Sequence, residues 1–365
     1  MNIRIDKILL REGAHDYDQS YNILNKLNKV PVERIDDNST GQIGPLIDMD
    51  KKSLYLLSYE GELFKPCPGT KEYICCGYNI LHIGTNCPLD CSYCILQAYF
   101  NQPSLRVFVN LERELADIGK LIDSTPEKIY RIGTGEFTDS LALDPIVGWS
   151  SIIPRFFAKR KNAILEFKTK TDHVEGLLDS PYRDRIIISW SLNSPHIATR
   201  EEHGAPSLEK RLKAAAKCQD EGYILGFHFD PLICYDGWRE DYLKTIEMMD
   251  KYIDPDGIIW ISFGCLRFMP NLKAIIRKRH LGTHILDGEF ILGLDGKMRY
   301  FKPIRIEMYS FLKENIEKWS INTGNYLCME SDEVWSKSLG WSPGNSEGLS
   351  FFLDNRVREI FKINS

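Results

Sequence analysis

Six short apolar runs recur between residues 79 and 264, alternating with amphipathic stretches. "NILHIG" (79–84), "KIYRIG" (128–133), "AILEFK" (163–168), "RIIISWSL" (185–192), "YILGFHF" (223–229) and "GIIWISFG" (257–264) read as buried strands. Between them, Leu111, Leu115, Ile118 and Ile122 recur at helical spacing. Leu208, Leu212 and Ala216 do the same after "APS", a proline and cap signal. Strand and helix alternating over six units imply parallel strands joined by crossover helices. The runs are apolar on both faces, as strands covered by helices should be. Six units fall short of a closed eight-fold barrel, so the pattern predicts an α/β fold built on a partial (β/α)6 TIM-type barrel over residues 79–270. Ligand sites in such folds lie at the carboxyl ends of the strands.

Residues 1–78 read as an N-terminal α/β extension, with a polar helix near 18–29 and a strand near "LYLLSY" (54–59). Residues 271–365 carry a predicted hairpin, "EFILGLDGKMRYF", turning at Asp295-Gly296, and then a helix, "RIEMYSFLKENIEKW". There is no internal repeat and no low-complexity segment.

Composition acts mainly by exclusion. The 365 residues are 43% hydrophobic and 27% charged, as in an ordinary globular chain. No apolar run approaches the ~18 residues that span a bilayer. The charged N-terminus, "MNIRIDKILLREGAHD", does not read as a secretory signal, so a cytoplasmic protein with no membrane partner is expected. The net charge of −5 counts against a dedicated nucleic-acid binder. The basic stretches "RFFAKRKN", "IIRKRH" and "GKMRYFKPIR" read first as solvated faces. Ten cysteines in a reducing compartment suggest metal binding or thiol chemistry for any cluster, and small buried hydrophobes for the remainder.

The cluster is "GTNCPLDCSYCILQAYF" (84–100), with Cys87, Cys91 and Cys94 placed just after the first strand. Thiolates this closely spaced wrap one soft metal centre. A closed zinc or iron–sulfur site takes four protein ligands, and this loop supplies three. On a [4Fe-4S] cluster that leaves one iron open to a small molecule. Zinc completed by a distant residue such as Cys76 or His82 is the alternative that spacing leaves open.

C-x3-C-x2-C with an aromatic, Tyr93, before the last cysteine resembles the radical S-adenosylmethionine superfamily. The resemblance implies a [4Fe-4S] cluster on Cys87, Cys91 and Cys94, with S-adenosyl-L-methionine on the open iron. Reductive cleavage of that cofactor gives a 5′-deoxyadenosyl radical, and the electron comes from a donor such as flavodoxin or ferredoxin. "CSYCILQ", "RVFVNLE", "FKTKTDHVEGLLDS", "SLEKRLKAAAKCQDEGYILGFHFDPLICYDGW" and "GKMRYF" resemble, in order, the spore photoproduct lyase family. That family repairs a methylene-bridged thymine dimer without light, so the resemblance implies lyase activity, DNA repair and DNA as a partner.

The resemblance also suggests roles for single residues. Gly135 and Glu136 stand where many relatives bind the methionine amino group, although the usual Gly-Gly-Glu is here Thr134-Gly135-Glu136. Lys170 aligns near the cofactor carboxylate, while Ser191 and Asn193 end a strand where they could bond the cofactor's ribose or carboxylate. Arg299 and Tyr300 align with lyase residues that meet the lesion. His228 and Asp230 also end a strand, as an acid–base pair or as core residues. Two departures stand out. Glu136 replaces the cysteine that returns a hydrogen atom to the repaired thymine, and Ile95 replaces a tyrosine that relays it. A carboxylate cannot serve as that donor, since its O–H bond is too strong; the source is then another cysteine, regenerated 5′-deoxyadenosine or an external reductant, with Cys234, just past the strand "YILGFHF", the best internal candidate. Two rival functions follow: radical modification of a nucleotide, small metabolite or peptide by a lyase-like paralogue, and a metal-stabilised nucleic-acid-binding protein.

Overall fold

The computed structural model describes residues 3–36, 50–100 and 102–363. All six expected strands form, at Asn79–Leu81, Tyr130–Gly133, Ala163–Thr169, Ile186–Ser191, Ile224–Leu232 and Ile258–Cys265. They pair in parallel, in chain order, within one eight-stranded sheet. Ile186–Ser191 and Ile258–Cys265 are buried at every position, which explains their unbroken apolar sequences. Helices Leu111–Asp123 and Leu208–Asp220 cover the outside. Ser207 caps the second of these, accepting from the Lys210 N–H at 3.4 Å.

The two outer strands of the sheet come from the flanking segments. Phe64–Pro66 pairs antiparallel with Asn79–Leu81, and Asn325–Leu327 pairs parallel with Ile258–Cys265. The sheet curls until these ends approach one another. The Ile74 N–H donates to the Glu330 carbonyl at 2.9 Å, and the Met329 N–H donates to the Ile74 carbonyl at 2.9 Å. A buried ion pair fastens this seam from behind, Arg305 Nε to Glu330 Oε1 at 2.9 Å, with the Tyr309 hydroxyl donating to the same oxygen.

The C-terminal helix Ser346–Ile360 packs across the amino ends of the strands. Arg131 at the start of its strand meets Asp354 at 2.7 Å, and Arg356 donates to the Ile259 carbonyl at 2.6 Å. One end of the barrel is thereby stopped, and the interior faces the carboxyl ends. A second sheet, of strands Val32–Ile35, Lys7–Arg11, Ser53–Leu57, Leu105–Phe108 and Gly84–Thr85, stands beside the barrel. Its helix, Asp18–Lys26, lies where the polar helix is expected. The predicted hairpin also forms, Phe290–Leu292 against Met298–Tyr300, with Gly296 at φ +73° in the turn. The helix after it runs Lys302–Trp319. No helix among the described residues is long and apolar enough to cross a membrane.

Candidate active site

The barrel encloses a cavity of about 710 Å³ at the carboxyl ends of its strands. Cys87, Cys91 and Cys94 all line it. Their loop is tied down by its own backbone and by distant side chains. Asn86 takes φ 64°, a left-handed conformation that asparagine tolerates, and its amide donates to the Gln102 and Ser104 carbonyls at 2.7 Å each. Asp90–Cys91 pairs antiparallel with Glu202–His203. The Gln97 amide donates to the carbonyls of Cys91, Ser92 and Cys94 at 3.1, 2.9 and 3.2 Å. Arg279 holds Gln97 in turn, and reaches Asp90 at 2.9 Å. Three of the loop's carbonyls are occupied in this way, and all three of its cysteines line the cavity.

This donor set fits a soft metal cluster. Burial pushes the Cys91 thiol up to about 12, and burial, then the Asp139 carboxylate, pushes Cys87 up as well. A cationic centre that takes thiolates would relieve that desolvation. Among the described residues, no three His, Cys, Asp or Glu side chains converge closely enough to hold a single metal ion. The zinc alternative also lacks its fourth ligand. The Cys76 thiol is hydrogen-bonded to Cys328, and His82 is enclosed by the rings of Tyr59, Phe108 and Phe137.

Tyr93 lines the cavity, and its hydroxyl donates away from it, to the buried Glu202. Glu202 is paired with Arg211 at 2.5 Å, and neither side chain is exposed. Arg211 also donates to the Ser191 carbonyl at 3.2 Å, joining the cysteine loop to the end of a central strand. Burial alone would raise the Glu202 carboxyl, but Arg211 and Lys170 outweigh it and hold the group low. The Lys170 ammonium lies 5.7 Å from the Tyr93 ring centroid, a cation over an aromatic face.

Gly135, Glu136, Lys170 and Ser191 line the same cavity. A Cβ at Gly135 would stand 3.0 Å from Lys168 Cβ and 3.1 Å from the Lys168 carbonyl, so glycine permits the close approach of two strand ends. Asp139, not anticipated from sequence, fixes that approach by accepting from the Lys170 N–H and the Thr169 hydroxyl, at 2.7 Å each. Glu136 receives the Tyr78 hydroxyl at 2.5 Å and faces Cys67 and Lys168.

Four expected site residues do not reach the cavity. Asn193 is buried, its amide donating to the Pro231 carbonyl at 2.9 Å and its oxygen accepting from Tyr242 at 2.6 Å; it holds two loops together. Arg299 is buried against Asp295 at 2.7 Å, donates to the Met329 carbonyl at 3.0 Å and lies over the Tyr73 ring. Tyr300 is stacked on Phe290, with its hydroxyl accepting from the Cys234 N–H at 3.2 Å. Cys234 is half-buried beside it, outside the cavity lining. Polar residues at a strand end or in a hairpin look alike in sequence whether they face a cavity or an internal partner.

The cavity also takes in Cys76, His228 and Asp230, noted in the sequence for other roles, and residues such as Cys67, Cys328 and Glu166 that carried no local signal. Cys67, Cys76 and Cys328 line the cavity along the seam. Deeper in, one oxygen of Glu166 accepts from His228 at 2.9 Å, Trp260 at 3.0 Å and Ser189. His228 is held from its other nitrogen by the Ser262 hydroxyl at 2.6 Å. Asp230, at the lip, pairs with Arg267 at 2.9 Å.

A curled parallel half-barrel with a C-x3-C-x2-C loop opening into its cavity defines the radical S-adenosylmethionine class. Within that class, the model of the spore photoproduct lyase family matches residues 72–317, and the chain belongs to that family. The spore photoproduct lyase of Geobacillus sp. is 29% identical over 223 residues, 60% of this chain and 63% of that protein. The match therefore spans just under two thirds of the Geobacillus relative. The Bacillus subtilis lyase is 27% identical over 240 residues, 65% of this chain and 68% of that one. Among solved structures, a spore photoproduct lyase complexed with dinucleoside spore photoproduct aligns with TM-score 0.78 and 21% identity, over 91% of this chain and all of that one. A lyase variant with bound AdoMet and dinucleoside spore photoproduct aligns with TM-score 0.77 and 22% identity, over 90% of this chain and all of that one.

Proposed function

We propose that this protein is a radical S-adenosylmethionine lyase acting on spore photoproduct in DNA, with an electron carrier of the flavodoxin or ferredoxin type as its second partner. The observation that carries the reading is the convergence of Cys87, Cys91, Cys94, Glu136, Lys170 and Ser191 on one cavity within the family's fold. Cys87, Cys91 and Cys94 would hold the [4Fe-4S] cluster. When bound, the cluster and S-adenosyl-L-methionine supply a carbon-centred radical that removes a hydrogen atom from the substrate.

The chain's own groups do the positioning. Lys170 offers a cation to the cofactor's carboxylate, and Glu136 offers an anion to its ammonium, with Gly135 leaving room between the strands. Tyr93 presents its ring, because Glu202 holds its hydroxyl behind the wall. The closed amino end of the barrel keeps water from one side, which protects radical chemistry from side reactions.

A second reading, in which a different nucleotide or metabolite is modified, draws support from the ionised groups along the cavity. Glu166, Lys168 and the Asp230–Arg267 pair suit a substrate with more charge than a thymine dimer. The deciding experiment incubates anaerobically reconstituted protein with S-adenosyl-L-methionine, reductant and dinucleotide spore photoproduct. Release of the repaired dithymidine is expected. Formation of 5′-deoxyadenosine with the dinucleotide left intact would favour the second reading.

A further inference from the structure

Breaking the thymine bridge leaves a carbon radical that must take up a hydrogen atom, and Glu136 stands where the family's donor thiol aligns. We propose that Cys67 is that donor, lining the cavity with Glu136 from a strand two places away in the sheet; this rests on the lyase reading above. Cys67 follows strand Phe64–Pro66 directly, and its N–H donates to the Tyr78 carbonyl at 2.9 Å. Tyr78 donates in turn to Glu136 Oε2 at 2.5 Å, so the three residues share one patch of cavity wall. The glycine at 133 makes room for this arrangement, since a Cβ there would stand 2.9 Å from the Tyr78 ring.

The chemistry of the patch suits a donor. A thiol gives up a hydrogen atom readily only while it holds one, and a thiolate has none to give. Burial and then the Glu136 carboxylate push the Cys67 thiol up to about 12, so the S–H survives at neutral pH. Its sulfur accepts a hydrogen bond from the Gly69 backbone, which helps to orient the thiol. The other cavity cysteines are placed less well. Cys76 and Cys328 hydrogen-bond each other, and Cys76 is almost wholly buried. Cys234 lies outside the lining.

In the step, the Cys67 S–H bond breaks and a C–H bond forms on the substrate radical, leaving a thiyl radical on Cys67. One electron from the carrier that reduces the cluster, with one proton from water, restores the thiol.

The test uses solvent deuterium, because a thiol proton exchanges with D2O. Reconstituted wild-type protein acting on dinucleotide spore photoproduct in D2O should place one deuterium in the new C–H bond of most product molecules. Cys67→Ala and Cys67→Ser should lower that label and the rate of product formation roughly 10- to 100-fold. Both should retain the iron content and the substrate-dependent formation of 5′-deoxyadenosine, and Cys234→Ala should keep the label. Label and rate unchanged in Cys67→Ala would overturn the assignment. So would unlabelled wild-type product, which would mean a donor that does not exchange with solvent. A wild-type protein that cleaves its cofactor and leaves the dinucleotide intact would overturn the lyase reading itself, and this assignment with it.

Discussion

Cys87, Cys91 and Cys94 reach the cavity from a single loop; Cys67 and Cys76 reach it from near the start of the chain and Cys328 from near its end. The first group lies within eight residues of one loop, and all three of its cysteines line the cavity. Gln97, Asn86 and the short pairing with Glu202–His203 hold the loop's backbone in place. In the second group the sulfurs have other partners. Cys328 hydrogen-bonds Cys76 and is thereby held well above its ordinary value, and Cys67 sits against a carboxylate. Burial raises Cys91 and Cys67 alike, to about 12; a cluster bound at the loop would offset that for Cys91, whereas the Glu136 carboxylate beside Cys67 favours its thiol further. The difference lies in what surrounds each sulfur.

The sharpest break of this comparison is the metal. Protein prepared without oxygen should hold about four irons and four sulfides per chain, as a [4Fe-4S] site requires. Cys91→Ala should lose the cluster, whereas Cys76→Ala and Cys328→Ala should keep nearly all of it. Iron and sulfide analysis decides this, and stoichiometric zinc without sulfide would refute the cluster assignment.

Next is the support behind the loop. Arg211→Met leaves Glu202 charged, buried and without its partner, which should cost about 3–5 kcal/mol of stability in chemical denaturation. The double variant Arg211→Met, Glu202→Leu should recover most of that loss. If the single variant is as stable as wild type, the pair does not anchor the loop.

Glu136 belongs to both comparisons, since its carboxylate faces the seam thiol and is also assigned to the cofactor. Removing a charged hydrogen bond costs about 2–3 kcal/mol, so Glu136→Ala should weaken S-adenosyl-L-methionine binding roughly 30- to 100-fold by titration while iron content stays constant. Unchanged affinity would assign Glu136 to the substrate side, next to Cys67.

The mildest effect is that of acid. Burial raises the Glu166 carboxyl, but the His228 charge and the hydrogen bonds from His228 and Ser189 prevail, taking it from 4.5 to about 2. A depressed carboxyl stabilises the fold above its unfolded value, and that contribution is lost as pH falls through the folded one. The denaturation midpoint should therefore drop as pH falls between about 4.5 and 2. Glu166→Gln should be less stable at neutral pH and show a shallower acid loss. Parallel profiles for the two proteins would remove Glu166 from the account.

Much of the architecture was legible because it is periodic. Six apolar runs, two helical stripes and an Asp-Gly turn became the strands, helices and hairpin they suggest, since burial on one or both faces imposes a repeat on the sequence. The strands at Phe64–Pro66 and Asn325–Leu327 went unread because three residues cannot display a period, and they are strands only because the curled sheet offers them an edge. The three-cysteine loop was legible for a similar reason, its sulfurs lying close enough in the chain that spacing is geometry.

Asn193, Arg299, Tyr300 and Cys67 could not be sorted in that way. Arg299 turns inward because Asp295, four residues earlier in the same hairpin, neutralises it in a buried site. Asn193 turns inward because Tyr242 and the Pro231 carbonyl meet it there. Cys67 faces the cavity because the barrel closes on itself where Ile74 meets Glu330. What the chain by itself determined was local: its periods, its caps, and the three sulfurs within one loop. Which polar groups face the cavity was decided by tertiary structure, since a polar side chain goes wherever its partner lies, and those partners came from distant parts of the chain.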